Sequence, residues 1–323
     1  MRVSSSTTLT TPVSGDPVQL AAKLSCIDID IGLDVKANKG LWAWSYKRGV
    51  GRGAWHKASM LSSTFRVTLL ALFTAFANGC GDTSVRTAEV DGRSVAYALT
   101  GTGRSVVLES GLGDGLEPWQ QVMASGVPGA RLFAYDRAGY GQSTSSSSPR
   151  DGAHLVEELR RTLQVIELPP PYLLVGHSLG GQLVLLYARL YPGEVSGIVL
   201  VDARPPTFTD RCIAELGKGE CVPPASAVDQ FPSAMRAEYD EATATAAQLL
   251  AAPPFPPVPG VVLSSGAGSD SAAFRDLWAY TQDELAMELL ASHITIPGAS
   301  HYIQRDASSD VVDAITSVLA DVP

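Results

Sequence analysis

The chain has 323 residues, 45% hydrophobic and 18% charged, enough to bury the core of one large domain beside a flanking segment. Residues 1–79 carry 9 Lys and Arg against 4 Asp and Glu, net +5, whereas the remainder carries 15 against 29, net −14. A surface that acidic repels phosphate backbones, so nucleic acid is excluded as an expected partner.

Residues 1–59 show no sustained period of 2 or 3.6 and run through WAWSYKRGVGRGAWHK without a recognisable element. Residues 60–82, MLSSTFRVTLLALFTAFANGCGD, are laid out differently. A methionine and one Arg precede the apolar run Val67–Ala77, and small residues and then Cys80 follow. That is the layout of a secretory signal. With Cys80 at the cut, it resembles a bacterial lipoprotein signal, in which a lipidated Cys80 would attach the protein to a membrane. Ala77 stands where such signals carry Leu, and Ala77–Asn78–Gly79 also fits an ordinary secretory cut. A signal does not work sixty residues from a start. Met60 is therefore the expected initiation residue, 1–59 an upstream disordered extension, 60–80 the signal and 81–323 an exported domain. The alternative is a leader ahead of a buried helix. No run of about eighteen apolar residues predicts a spanning helix.

From Thr87 onward strands and helices alternate, which predicts an α/β fold with a mostly parallel sheet and helices on both faces. RTAEVDG and RSVAYALTG form a predicted hairpin turning at Asp91–Gly92. SVVLESG, ARLFAYD, PYLLVGHS, VSGIVLVDA, GVVLSSG and SHITIPG read as further strands. LEPWQQVMASG, AHLVEELRRTLQVIEL, GQLVLLYARLYP, AFRDLWAYTQDELAMELL and SSDVVDAITSVLADV read as helices. Residues 205–258 interrupt the rhythm with prolines and short helical pieces such as MRAEYDEATATAAQLLAA, an insertion where a cap would stand. Cys212 and Cys221 lie within it with eight residues between them. No further ligand stands near them, so a local disulfide fits better than a metal site if the protein is exported, and two free thiols are the alternative.

Gly176–His177–Ser178–Leu179–Gly180 fits G-x-S-x-G, with strand YLLV running in and helix GQLVLLYARLYP running out. That setting predicts Ser178 as a nucleophile on a sharp turn, at a helix N-terminus where developing negative charge is favoured. Among five histidines, His301 in GASHYI sits on a loop after a strand, late in the chain, where the order Ser, acid, His expects the base. Two acids end strands in the interval: Asp202 directly after VSGIVLV, and Asp270 in an irregular stretch four residues after Gly266. Asp202 is favoured for its fixed backbone; otherwise it simply caps the next turn. The N–H of Leu179 and that of Leu112, in the loop Ser110–Gly115, are the expected oxyanion donors.

With these residues the chain resembles the α/β-hydrolase superfamily, in its esterase- and lipase-like branch, over about 88–322. The resemblance rests on GLGDG, DRAGYGQS (Asp136–Ser143), GHSLGG and GASHYI. It departs from the family in having Ser110–Gly111 where His-Gly is usual. The resemblance implies a Ser178–His301–Asp202 serine hydrolase acting on a small-molecule ester or acyl substrate, with no metal and no organic cofactor. A serine at the elbow is unlike the family's haloalkane dehalogenases and epoxide hydrolases, which use Asp. Lactonase, thioesterase, amidase, C–C hydrolase and perhydrolase chemistries use the same machinery, and a catalytically silent binding module is the alternative of another class.

Overall fold

The computed structural model describes residues 84–267 and 271–322, together with the strands at 36–38 and 41–43. Met60, the signal-like segment, Cys80 and Asp270 lie outside the described residues. Strands β1 (Lys36–Asn38) and β2 (Leu41–Ala43) pair antiparallel within the extension, where the sequence predicts no element. Strands of three residues are too short to leave a period.

Gly81–Pro323 forms one compact unit. Its first two strands, β3 (Arg86–Val90) and β4 (Arg93–Gly101), pair as the predicted hairpin. Asp91 (φ 49°) and Gly92 (φ 76°) both take left-handed angles, as a two-residue turn matched to strand twist requires. Next come β5 (Arg104–Glu109), helix α1 (Gln120–Ser125), β6 (Ala130–Tyr135), α2 (Gly152–Val165), β7 (Tyr172–His177), α3 (Leu179–Leu190) and β8 (Val195–Val201). The stretch predicted as one helix at LEPWQQVMASG is instead a 3-10 turn, Glu117–Trp119, leading into α1. Asp151 caps α2 by accepting the His154 amide at 3.2 Å, a contact worth about 1 kcal/mol.

The insertion holds α4 (Phe208–Leu216), α5 (Lys218–Cys221), α6 (Ala225–Val228), α7 (Ser233–Asp240) and α8 (Ala242–Ala251). The predicted helix MRAEYDEATATAAQLLAA divides at Glu241 (φ −94°, ψ 1°), which ends α7 and opens α8. Cys212 and Cys221 form a disulfide that ties α4 to α5. The chain closes with β9 (Gly260–Ser265), α9 (Ala272–Leu289), β10 (Ser292–Ile296), α10 (Ile303–Asp306) and α11 (Ser308–Asp321).

Eight strands form one sheet in the order β10-β9-β8-β7-β5-β6-β4-β3. β3 and β4 are antiparallel to their neighbours and the rest run parallel. Alternating side chains feed two cores. Val107, Leu174, Leu200 and Val262 pack on one face against Leu155, Leu159, Val184 and Leu285. Val106, Leu173, Val199 and Leu263 pack on the other against Val122, Ile315 and Val318. Helices on both faces explain why the central strands are continuous apolar runs. This is the α/β-hydrolase fold. Because β5, β7, β8 and β9 are parallel, the residues following Glu109, His177, Val201 and Ser265 all emerge at one end of the sheet.

Candidate active site

Ser178 occupies the turn between β7 and α3 with φ 52° and ψ −118°, a conformation that L side chains rarely adopt. Its backbone is held on both sides. Its amide donates to Val201 O at 3.3 Å, and its carbonyl accepts the amides of Gly181 and Arg204, each at 3.0 Å. The flanking glycines permit this closeness. A Cβ on Gly176 would lie 2.6 Å from Gly180 O, and one on Gly180 would lie 2.4 Å from Glu109 O. The Ser178 hydroxyl takes no part in capping α3, which leaves it available for chemistry.

Asp202 leaves β8 with φ 45° and is 1% exposed. Both carboxylate oxygens are fully engaged. Oδ1 accepts from the Ser265 amide at 2.7 Å and from Trp278 Nε1 at 2.9 Å. Oδ2 accepts from Ser265 Oγ at 3.0 Å and pairs with His301 Nδ1 at 2.6 Å. Burial pushes the Asp202 carboxyl up, but the His301 hydrogen bond and charge, the Ser265 amide and Trp278 together hold it below the usual carboxylate range. An acceptor at Oδ2 calls for a hydrogen on His301 Nδ1 and leaves Nε2 turned away from Asp202. Asp202, one of the two acids expected from the sequence, is thus paired with His301, and Asp270 lies outside the described residues.

His177 fixes the loop that carries His301. Its Nε2 donates to the His301 carbonyl at 2.9 Å, and its ring lies 4.7 Å from that of His301 and 5.0 Å from that of Tyr302. Burial, then the neighbouring His301, lowers the His177 pKa to about 3, so the ring is neutral. The residue just before Ser178 thus touches His301, which puts nucleophile and imidazole at the same end of the sheet.

The loop after β5 crosses above the elbow. A Cβ on Gly111 would lie 3.2 Å from Ser178 Cβ and 2.9 Å from His177 Nδ1. Arg137 grips this loop: Nη1 donates to Ser110 O and Nη2 to Gly111 O, both at 2.7 Å. Carbonyl and N–H point oppositely across a trans peptide, so holding Gly111 C=O directs the Leu112 N–H away from the guanidinium. Leu179 opens α3, and its amide is among those of a first turn that lack a helical partner.

Arg137 itself is buried between two carboxylates. Nη1 donates to Glu109 Oε1 at 2.8 Å, while Nε and Nη2 reach Glu238 of α7 at 3.0 and 2.8 Å. Arg150 Nη2 and Tyr140 OH donate to the same Glu238 at 3.1 and 2.8 Å. Burial raises the Glu109 pKa, which Arg137 only partly offsets. Burial also acts on Glu238, but Arg137 and Arg150 hold it below its ordinary value. Sequence reasoning missed this network. Arg137 lies within DRAGYGQS, and Glu238 sits in a charged helical stretch that reads as solvated.

A pocket of about 280 Å³ opens on the Asp202 side of His301, lined in part by Arg204, Phe274 and Trp278.

Residues 104–219 match the family described as alpha/beta hydrolase fold. The chain is 37% identical to the uncharacterized Bacillus subtilis protein YqjL over 101 residues, 31% of this chain and 40% of that one. It is 35% identical to the human (lyso)-N-acylphosphatidylethanolamine lipase over 104 residues, 30% of this chain and 29% of that one. These matches span less than half the length of either relative. The epoxide hydrolase VrEH1 from Vigna radiata superposes with a TM-score of 0.56 at 15% identity, covering 74% of this chain and 98% of that one. The chain is an α/β-hydrolase-fold protein.

Proposed function

We propose that the protein is a serine hydrolase that cleaves a carboxylic ester or similar acyl bond by way of an acyl-enzyme. The observation that carries this reading is the 2.6 Å pairing of His301 Nδ1 with buried Asp202, at the sheet end where Ser178 sits on a strained elbow. His301 Nε2 takes the Ser178 proton as Oγ attacks the carbonyl carbon, and the carbonyl electrons move to an oxyanion facing the Leu112 and Leu179 amides. Collapse breaks the bond to the leaving group, which takes the proton from His301. Water, deprotonated by His301, then attacks the acyl carbon, and collapse breaks its bond to Ser178 Oγ, which takes the proton back from His301 as the acid leaves. Asp202 stays ionised throughout and stabilises the imidazolium. Each oxyanion donor of this type is worth about 3–4 kcal/mol.

The insertion is the cap in this reading, because α7 stands over the oxyanion loop: Met235 Sδ would lie 3.0 Å from a Cβ on Gly113. The Cys212–Cys221 disulfide supports an exported protein, since such bonds persist in oxidising compartments. Attachment through a lipidated Cys80 is part of the same proposal. Hydrolysis of p-nitrophenyl esters of graded chain length tests the activity. The expected result is turnover that Ser178→Ala reduces by about 10⁴-fold or more. Turnover that survives Ser178→Ala would refute the assignment, and no turnover of any acyl substrate would favour a silent binding module.

A further inference from the structure

Arg204 is anchored at the nucleophile, since its amide donates to the Ser178 carbonyl at 3.0 Å. Its side chain lines the pocket beside His301 and lies over the Phe208 ring at 5.2 Å. Arg137 and Arg150, which are buried, are each paired with two carboxylates. Arg204 is different. Its hydrogen bonds go to the neutral Thr209 Oγ1, at 3.3 Å from Nε and 2.8 Å from Nη2, and no carboxylate pairs with it among the described residues. Arg204 is half-buried, and desolvation lowers its pKa with only Tyr239 acting the other way. Keeping such a cation in a cleft is costly unless a ligand supplies the missing anion.

The rest of the pocket suits that ligand. Phe274, Trp278 and Ala267 give it apolar walls, and Arg275 adds a second positive side chain to its lining. Asp202 also lines it, but its four donors already occupy both carboxylate oxygens, so it presents little free negative charge to an incoming anion. His301 forms part of the same wall. A group lodged on Arg204 therefore lies beside the His301 imidazole.

We propose that the pocket beside His301 binds a carboxylate of the substrate on the Arg204 guanidinium, so that the preferred acyl substrates are short-chain compounds carrying a negative charge. This rests on the serine hydrolase reading and narrows its substrate class. A guanidinium fork matches a planar carboxylate, and a charge-assisted pair of this kind is worth about one to two powers of ten in binding.

The test compares mono-p-nitrophenyl adipate with p-nitrophenyl hexanoate, which match in chain length and differ in the terminal charge. The wild-type protein is expected to favour the adipate ester in kcat/KM by about tenfold or more, and free adipate is expected to inhibit competitively. Arg204→Met is expected to bring that ratio to about one or below and to relieve the inhibition, and Arg204→Lys to retain part of both. Should Arg204→Met fail to fold, the wild-type ratio, adipate inhibition and Arg204→Lys still decide. Labelling of Ser178 by a neutral fluorophosphonate with no preference between the two esters would overturn the anion site alone. The same result would follow if Arg204→Met left the preference intact. Absence of both labelling and hydrolysis would overturn the serine hydrolase reading, and the anion site with it.

Discussion

At the residue scale the candidate site is a set of side chains held by neighbouring residues. Asp202 is pinned by Ser265 and Trp278, and Asp202 in turn sets the tautomer of His301. Asp202→Asn would present an amide to Nδ1 and stabilise the wrong tautomer, so kcat is expected to fall by about 10⁴-fold in steady-state ester hydrolysis, with little change in KM. Asp270→Asn provides the contrast, with activity expected near wild type. Arg137 is a positioning residue acting through the Gly111 carbonyl. Arg137→Met is expected to lower kcat by about 10²-fold and leave KM nearly constant, with partial recovery in Arg137→Lys. A loss confined to KM would contradict the role assigned to it. His177 gives a stability prediction. Its folded pKa of about 3 lies below the unfolded value near 6.5, so its contribution is fully present above about pH 6.5. It is lost as pH falls toward 3, at up to about 1.4 kcal/mol per pH unit. Denaturant titrations from pH 7 to 4 should show a shallower acid loss in His177→Gln than in the wild type. Ser178 and Asp202 stood out in the sequence because each follows a strongly apolar strand, and His301 because of its loop late in the chain. Arg137, Glu109 and Glu238 were not, because pairing across 101 positions leaves no local spacing to read.

At the element scale, two features hold the insertion in place. Glu238 of α7 joins it to the loop after β5 through Arg137, and a small apolar cluster of Phe208, Cys212, Cys221, Leu277 and Trp278 seats α4 and α5 on α9. Glu238→Leu would leave Arg137 and Arg150 each short of a partner, at a cost of about 3–5 kcal/mol. The expected signature is a lower unfolding midpoint together with reduced kcat, since the same loss frees the Gly111 carbonyl from a fixed guanidinium. Reducing Cys212–Cys221 opens a small loop and is expected to cost about 2.5 kcal/mol. Hydrogen exchange on the reduced protein should place that loss in α4 and α5, with β7 and β8 still protected. The strand elements were readable from their apolar runs, and the β3–β4 hairpin from Asp91–Gly92. The breaks were less legible. Pro118 at the start of its 3-10 turn and Glu241 in a bridge conformation each split a stretch that shows unbroken helical spacing.

At the scale of the whole molecule, sheet order was the least legible property. The sequence supplies strands and their apolar character, but the placement of β6 outside β5 depends on contacts between elements far apart in the chain. The motif order was enough to name the fold, because an elbow, a late histidine and DRAGYGQS must meet at one sheet end. N-terminal analysis of the protein from its native host should find a mature chain beginning at a lipidated Cys80, or at a residue close to it. A mature chain beginning well upstream would contradict the signal reading. The central claim is that Ser178 is a nucleophile activated by His301 and Asp202, and covalent labelling with a fluorophosphonate followed by peptide mapping tests it most directly. A single adduct on Ser178, formed far more slowly in Asp202→Asn and absent in Ser178→Ala, is the predicted result. Labelling at another residue, or none on the folded wild-type protein, would contradict it.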